Sequence, residues 1–250
     1  MTEVLKSGNG ESSLDENQHQ ATSRRSFIKL SSAAVLTAFA FGALKPETLK
    51  ASDAFYGLPV EPLQQAVDLG KGDTGILNYA YALEQLEAAF YTQAVSTPYS
   101  GMSSAEQQIL TDIRDHEVAH REFFKVALGK KAIPALQVNF TAIDFNNRQS
   151  VLSTAKTFED LGVSAYNGAG QLLKKVDYLL LAGKIVSVEA RHAAAIRELL
   201  NPMSAAFASD DVTDSSTGLD MAKMPADVLA AAAPFIRTPV TANNLPKPKM

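Results

Sequence analysis

Residues 103–129 read SSAEQQILTDIRDHEVAHREFFKVALG. Stepping by three and four along them picks out Leu110, Ile113, Glu117, His120, Phe124 and Ala127. Such steps keep side chains on one face of an α-helix. Ser103 and Glu106 have the spacing of a capping box, and Gly129 suits the other end. The helix is amphipathic, yet the middle of its apolar stripe holds a carboxylate and an imidazole three residues on. Glu is almost never buried unless something compensates its charge.

The same anomaly recurs on either side. After the capping residues Asp73 and Thr74, the stripe Leu77, Tyr81, Glu84, Ala88, Tyr91, Val95 runs until Pro98. A short turn over residues 98–102 makes this helix and the next antiparallel. A linker of some twenty residues follows, with Pro134, Asn139, Asn146 and Asn147. The third stripe is Leu152, Ala155, Glu159, Gly162, Tyr166, Ala169. Beyond a break at Lys174 and Lys175, the fourth is Tyr178, Ala182, Ile185, Glu189, His192, Ile196, Leu199, ending before Pro202. A helix of about 24 residues is about 36 Å long, a span the linker can retrace. The pattern predicts an all-α fold, a four-helix bundle with one long crossover between helices 2 and 3. Two helical hairpins joined by a tether are the alternative.

The interior polar residues form one constellation: Glu84, then Glu117 and His120, then Glu159, then Glu189 and His192. The chain has thirteen Glu and four His, for which about 0.2 Glu-x-x-His occurrences are expected by chance. Two occur, both mid-helix and both in the seam. Residues i and i+3 are helix neighbours, so Glu117 can bridge two metals while His120 caps one. Glu189 and His192 can do the same from the other side, with Glu84 and Glu159 each closing one shell. Two divalent ions cancel the charge of the four carboxylates, so burial costs far less than for bare anions. Oxygen-dominated ligands with one imidazole per metal suit iron or manganese better than copper. Tyr91 and Tyr166, each seven residues after a lone Glu, read either as hydroxyls hydrogen-bonded toward the ligands or as core tyrosines. His116 falls about 100° round the helix from Glu117 and is expected at the surface. Arg191 is expected in a salt bridge or a surface role.

These motifs resemble the ferritin-like di-iron/di-manganese carboxylate superfamily. Residues 83–91 (LEQLEAAFY), 159–166 (EDLGVSAY) and 189–192 (EARH) are similar to an exported ferritin-like domain group that includes the plant desiccation-related proteins. The resemblance spans about residues 74–200, with a weaker echo at 230–236. It implies metal-ligand roles for Glu84, Glu117, His120, Glu159, Glu189 and His192, and a dinuclear Fe or Mn site. Because such helices often carry a Tyr seven residues after the lone Glu, it favours Glu84 over Glu87 as ligand. Glu87, off the seam, remains a candidate for contact with the ligands. His192 in the fourth helix is closer to oxidase, peroxidase and bacterioferritin-type sites than to storage ferritins. No Met stands as an obvious haem ligand, and residues 203–250 do not look like a cage-forming fifth helix.

The remaining sequence bounds the reading. With 250 residues, 46% hydrophobic and 20% charged, the chain has a globular composition. A net charge of −4 leaves no electrostatic footprint for nucleic acid. Without cysteine, disulfides, thiolate zinc sites and iron–sulfur clusters are excluded. Residues 1–22 are polar. The motif Ser23-Arg24-Arg25-Ser26-Phe27-Ile28-Lys29, followed by an uncharged stretch up to Lys45, resembles a twin-arginine (Tat) export signal. That stretch is too short and too mildly apolar for a membrane anchor. The expected organisation is a signal peptide over 1–44, an irregular lead-in over 45–73, the bundle over 74–201 and an irregular extension over 202–250. Expected partners are the Tat export machinery and a small oxidant (O₂ or peroxide) or metal ions, with self-association left open. The expected function is that of a periplasmic dinuclear Fe or Mn protein, redox-active toward O₂, peroxide or Fe²⁺. The alternative is a metal-stabilised, stress- or desiccation-related binding or structural bundle without turnover.

Overall fold

A computed structural model describes residues 65–248. The expected signal peptide over 1–44 and most of the lead-in lie outside the described residues. Four long helices follow one another: α1 (Gly72–Ser96), α2 (Ser104–Leu128), α3 (Arg148–Gly170) and α4 (Val176–Leu200). α1 packs along α2 and α3 along α4, so the chain forms a four-helix bundle with its long connection between α2 and α3. None of the described helices is long and apolar enough to cross a membrane.

The local signals act where sequence places them. Ser103 accepts from the Glu106 N–H while Glu106 accepts from the Ser103 N–H, completing the capping box. Gly129 ends α2 at φ 55, a left-handed conformation that costs glycine no steric penalty. Asn147 caps α3 by accepting from the Ser150 N–H. Asp73 does not cap α1, which begins at Gly72, two residues before the expected boundary. Its carboxylate instead accepts from the Lys174 and Lys175 N–H groups. That ties the α3–α4 turn to the start of α1.

The crossover is held by two α1 side chains. Asn78 donates to the Leu69 and Lys131 carbonyls and accepts from the Ile133 N–H. Two turns on, Gln85 donates to the Pro134 carbonyl and accepts from the Leu136 N–H. Phe140 and Phe145 then pack on Phe90, at centroid separations of 6.0 and 5.8 Å. The connection therefore retraces the length of α1 and covers its outer face. For that reason α1 is buried on almost every side.

The segment after residue 201, expected to be irregular, carries a helix of its own. α5 (Pro225–Ala232) follows a 3₁₀ turn at Ala205–Ala208 and leads into a second at Ala233–Phe235. Phe235 meets Phe158 of α3 edge-on at 4.8 Å. The chain then pairs β2 (Val240–Thr241) in parallel with β1 (Val67–Asp68), with Val67 opposite Val240, so two residues of the lead-in form a short strand. Buried Arg197 of α4 secures the extension. It donates to Asp160 of α3 and to Asp211, the Ala206 carbonyl and Ser209 of the extension. Bidentate guanidinium–carboxylate pairing of this kind is strong and geometrically specific. The Lys223 N–H donates to the Ser164 carbonyl as the chain crosses α3.

That crossing depends on a glycine. A Cβ at Gly168 would lie 1.8 Å from the Lys223 carbonyl oxygen, whereas one at Gly183 on α4 would meet nothing within 4 Å. Gly168→Ala is expected to destabilise the protein by about 1–3 kcal/mol by forcing the crossing apart. Gly183→Ala should stabilise it by about 0.5–1 kcal/mol through helix propensity. Urea unfolding of the two variants beside the parent checks both signs.

Candidate metal centre

Each long helix delivers one carboxylate from its middle to the bundle axis: Glu84 from α1, Glu117 from α2, Glu159 from α3 and Glu189 from α4. All four are 0% exposed. One turn beyond Glu117 and Glu189, His120 and His192 turn their Nδ1 atoms toward the same carboxylate cluster. His120 Nδ1 lies 2.9 Å from Glu189 Oε1, 3.4 Å from Glu84 Oε2 and 3.8 Å from Glu117 Oε2. His192 Nδ1 lies 2.9 Å from Glu117 Oε1 and 3.5 Å from both Glu159 Oε2 and Glu189 Oε2. The structure thus brings all six residues of the constellation together.

They fall into two overlapping sets. Glu84, Glu117, His120 and Glu189 offer ligand atoms within 4.8 Å of one another, and so do Glu117, Glu159, Glu189 and His192. Glu117 and Glu189 belong to both, turning one oxygen to each histidine. The inward atoms are Glu84 Oε2, both oxygens of Glu117 and Glu189, Glu159 Oε2, and Nδ1 of His120 and His192. All are buried without a hydrogen-bond partner. Buried polar atoms are otherwise almost always paired, so a converging group of orphans marks a place built for something else. Oxygen and imidazole donors at this spacing could hold metal ions.

The outward oxygens are satisfied in a crossed pattern. Tyr91 of α1 donates to Glu159 Oε1 of α3 at 2.6 Å, and Tyr166 of α3 donates to Glu84 Oε1 of α1. Burial, reinforced by the adjacent carboxylates, raises both phenols well above their usual range, so each keeps its proton and stays a donor. Of the two readings left open for these tyrosines, the structure selects the hydrogen-bonded one.

Glu87 differs from its expected setting. Helical spacing puts it off the seam, yet it is only 4% exposed, because it packs against α3 at Gly162. It belongs to neither set of four. Its Oε1 occupies space left by Gly162, where a Cβ would stand 3.1 Å away. Burial, and after it the charges of Glu117, Glu189, Glu159 and Glu84, push the Glu87 carboxyl well above the ordinary carboxylate range.

His116 is exposed, as its helical angle implies, but its ring also reaches inward. It lies nearly parallel to that of His192, at 10° and 5.1 Å between centroids, with its Nδ1 2.9 Å from His192 Nε2. The spacing of four between His116 and His120 was the available signal, but the contact is made to another helix. Arg191 is exposed.

The carboxylates and imidazoles of the centre shift one another's protonation. Burial opposes charge on both imidazoles. The carboxylates facing them outweigh it, raise His192 to about 12 and push His120 far above the usual imidazole range as well. Burial raises Glu117, with Glu189 adding to the effect and the two histidines opposing it. The carboxylates thus favour the protonated form of both imidazoles.

Residues 72–202, more than half of the chain, match the family described as the ferritin-like domain, and the chain belongs to that family. Comparison with curated proteins found no match.

The crossed tyrosines generate a paired expectation. Tyr91→Phe and Tyr166→Phe each strip a donor from a buried carboxylate oxygen, which costs about 1–3 kcal/mol. Denaturant unfolding of the metal-free variants should give losses of similar size, since the two contacts are counterparts. A loss confined to one of them would count against the equivalence.

Proposed function

We propose that this member of the ferritin-like domain family is a dinuclear iron or manganese protein, exported by the twin-arginine route and redox-active toward O₂, peroxide or Fe²⁺. One observation carries the reading: the inward orphan atoms divide into two sets of four that share Glu117 and Glu189. In this reading Glu84, Glu117, His120 and Glu189 hold one ion, and Glu117, Glu159, Glu189 and His192 the other. Two divalent cations balance four carboxylates, and the donor set of mostly oxygen with one imidazole for each ion favours Fe or Mn. A pair of such ions, when bound, can exchange two electrons with a small oxidant.

The protein's own groups prepare that chemistry. Glu117 and Glu189 keep the two positions at a fixed separation, because each offers one oxygen to either side. Tyr91 and Tyr166 hold the outer oxygens of Glu159 and Glu84, leaving one oxygen of each free to point inward. The packed helices keep bulk water from the centre, which strengthens every charge interaction inside it. The Arg24-Arg25 motif supports export to the periplasm. A protein that crosses a membrane already folded can receive its metal in the cytoplasm.

The test is anaerobic loading with Fe²⁺ or Mn²⁺, elemental analysis, and then exposure to air or peroxide. Two ions per chain and a growing ferric absorption band in the near ultraviolet are expected. Folded protein that takes up neither metal would overturn the dinuclear reading. Bound metal with a flat trace under both oxidants would make the metal structural and overturn the redox reading. Glu117→Gln removes a shared charged ligand, so metal uptake should fall below one ion per chain. In the metal-free variant the amide replaces a carboxyl that burial already pushes toward its neutral form, so it should melt close to the parent.

Proton competition sets the pH dependence. Both histidines hold protons far above the ordinary imidazole range in the metal-free centre, and a cation must displace them. Apparent affinity should therefore weaken as pH falls, by up to about tenfold per pH unit for each proton released. Chelator competition at several pH values between about 6 and 8 measures the slope.

A further inference from the structure

The two halves of the centre are alike in ligand type but not in what stands behind their histidines. A histidine that binds a metal through one ring nitrogen carries its proton on the other, and an acceptor for that proton fixes the tautomer and raises the ring's basicity. His192 presents Nδ1 to Glu117, Glu159 and Glu189, so its Nε2–H must point outward. There it meets His116 Nδ1 at 2.9 Å, in a near-parallel ring pair. With its own proton on Nε2, His116 faces solvent and is a ready acceptor. His120 presents Nδ1 to Glu84, Glu117 and Glu189 in the same way. Among the described residues no group accepts from its Nε2. Its side chain is also the more open, 14% exposed against 5% for His192.

We infer that His116 is a positioning residue for His192, and that it makes the centre unequal: the half containing His192 takes the first cation and holds it more tightly than the half containing His120. Resting on the dinuclear reading above, the inference gives its two positions an order of filling. His116 touches no inward atom and acts only through the ring of His192. The His120 half, with a histidine oriented by solvent alone, is the exchangeable one, suited to a cation that arrives and leaves.

The experiment uses the folded, metal-free protein and Co²⁺ alone, followed by calorimetry and by the visible absorption of the bound ion. The parent should show two resolved steps. His116→Phe keeps a flat ring beside His192 but offers no acceptor. It should weaken the tighter step by about 10–100-fold and leave the weaker one unchanged. His116→Gln, whose amide oxygen can accept from Nε2–H, should restore most of the loss. Because position 116 is exposed, the metal-free melting temperature should stay that of the parent in both. Unchanged binding in His116→Phe, equal weakening of both steps, or no recovery in His116→Gln would each overturn the inference while leaving the dinuclear reading intact. A parent that binds no Co²⁺ would remove both.

Discussion

Four carboxylates buried on one axis, with their inner oxygens unpaired, are the constraint around which the rest of this protein is arranged. Moving a carboxylate from water into a protein interior costs several kcal/mol even after relaxation. Four of them at contact distance repel as well. Such a cluster persists only if the charge is offset, by cations, by the two imidazoles or by protons kept on the carboxyls. The bundle is therefore the scaffold of a charged site, with its apolar seams interrupted at the same depth on every helix.

Holding the cluster open requires support from outside it. The crossed Tyr91–Glu159 and Tyr166–Glu84 contacts satisfy the outer oxygens and link α1 to α3, the two helices without histidine. Asn78 and Gln85 fasten the crossover along the back of α1, so that no ligand-bearing helix stands free at that side. Arg197, 1% exposed, locks α3, α4 and the extension together through Asp160 and Asp211. Each of these polar contacts is fully paired. That separates them from the inward atoms of the centre, which face one another at ion-pair distance without a formed hydrogen bond.

Much of this was legible before any coordinate. Helical steps of three and four isolate Glu84, Glu117, Glu159 and Glu189 as interior charges, because a period of 3.6 admits few other faces for them. The Glu-x-x-His repeat places His120 and His192 beside their carboxylates for the same reason. The capping residues Ser103, Glu106 and Gly129 act as their chemistry dictates. Glu87 was harder. Three residues after Glu84, it stands at the edge of the seam, and only α3, packed against it at Gly162, buries it. Asp73 has a capping side chain but satisfies a turn a hundred residues away, a partner that no local pattern names.

What the amino-acid order determined by itself is the periodic part: four amphipathic helices, their ends, and one ligand-type side chain set at mid-height in each. These follow from interactions within a few residues along the chain, which spacing encodes directly. Tertiary structure alone decided which atoms meet across helices. It turned the two oxygens of Glu117 and Glu189 to opposite sides, crossed Tyr91 and Tyr166 between α1 and α3, and set His116 of α2 behind His192 of α4. It also threaded residues 221–224 over Gly168 and paired Val67 with Val240. Those contacts join residues far apart in sequence, and their geometry depends on helix rotation and side-chain direction, neither of which a one-dimensional pattern specifies.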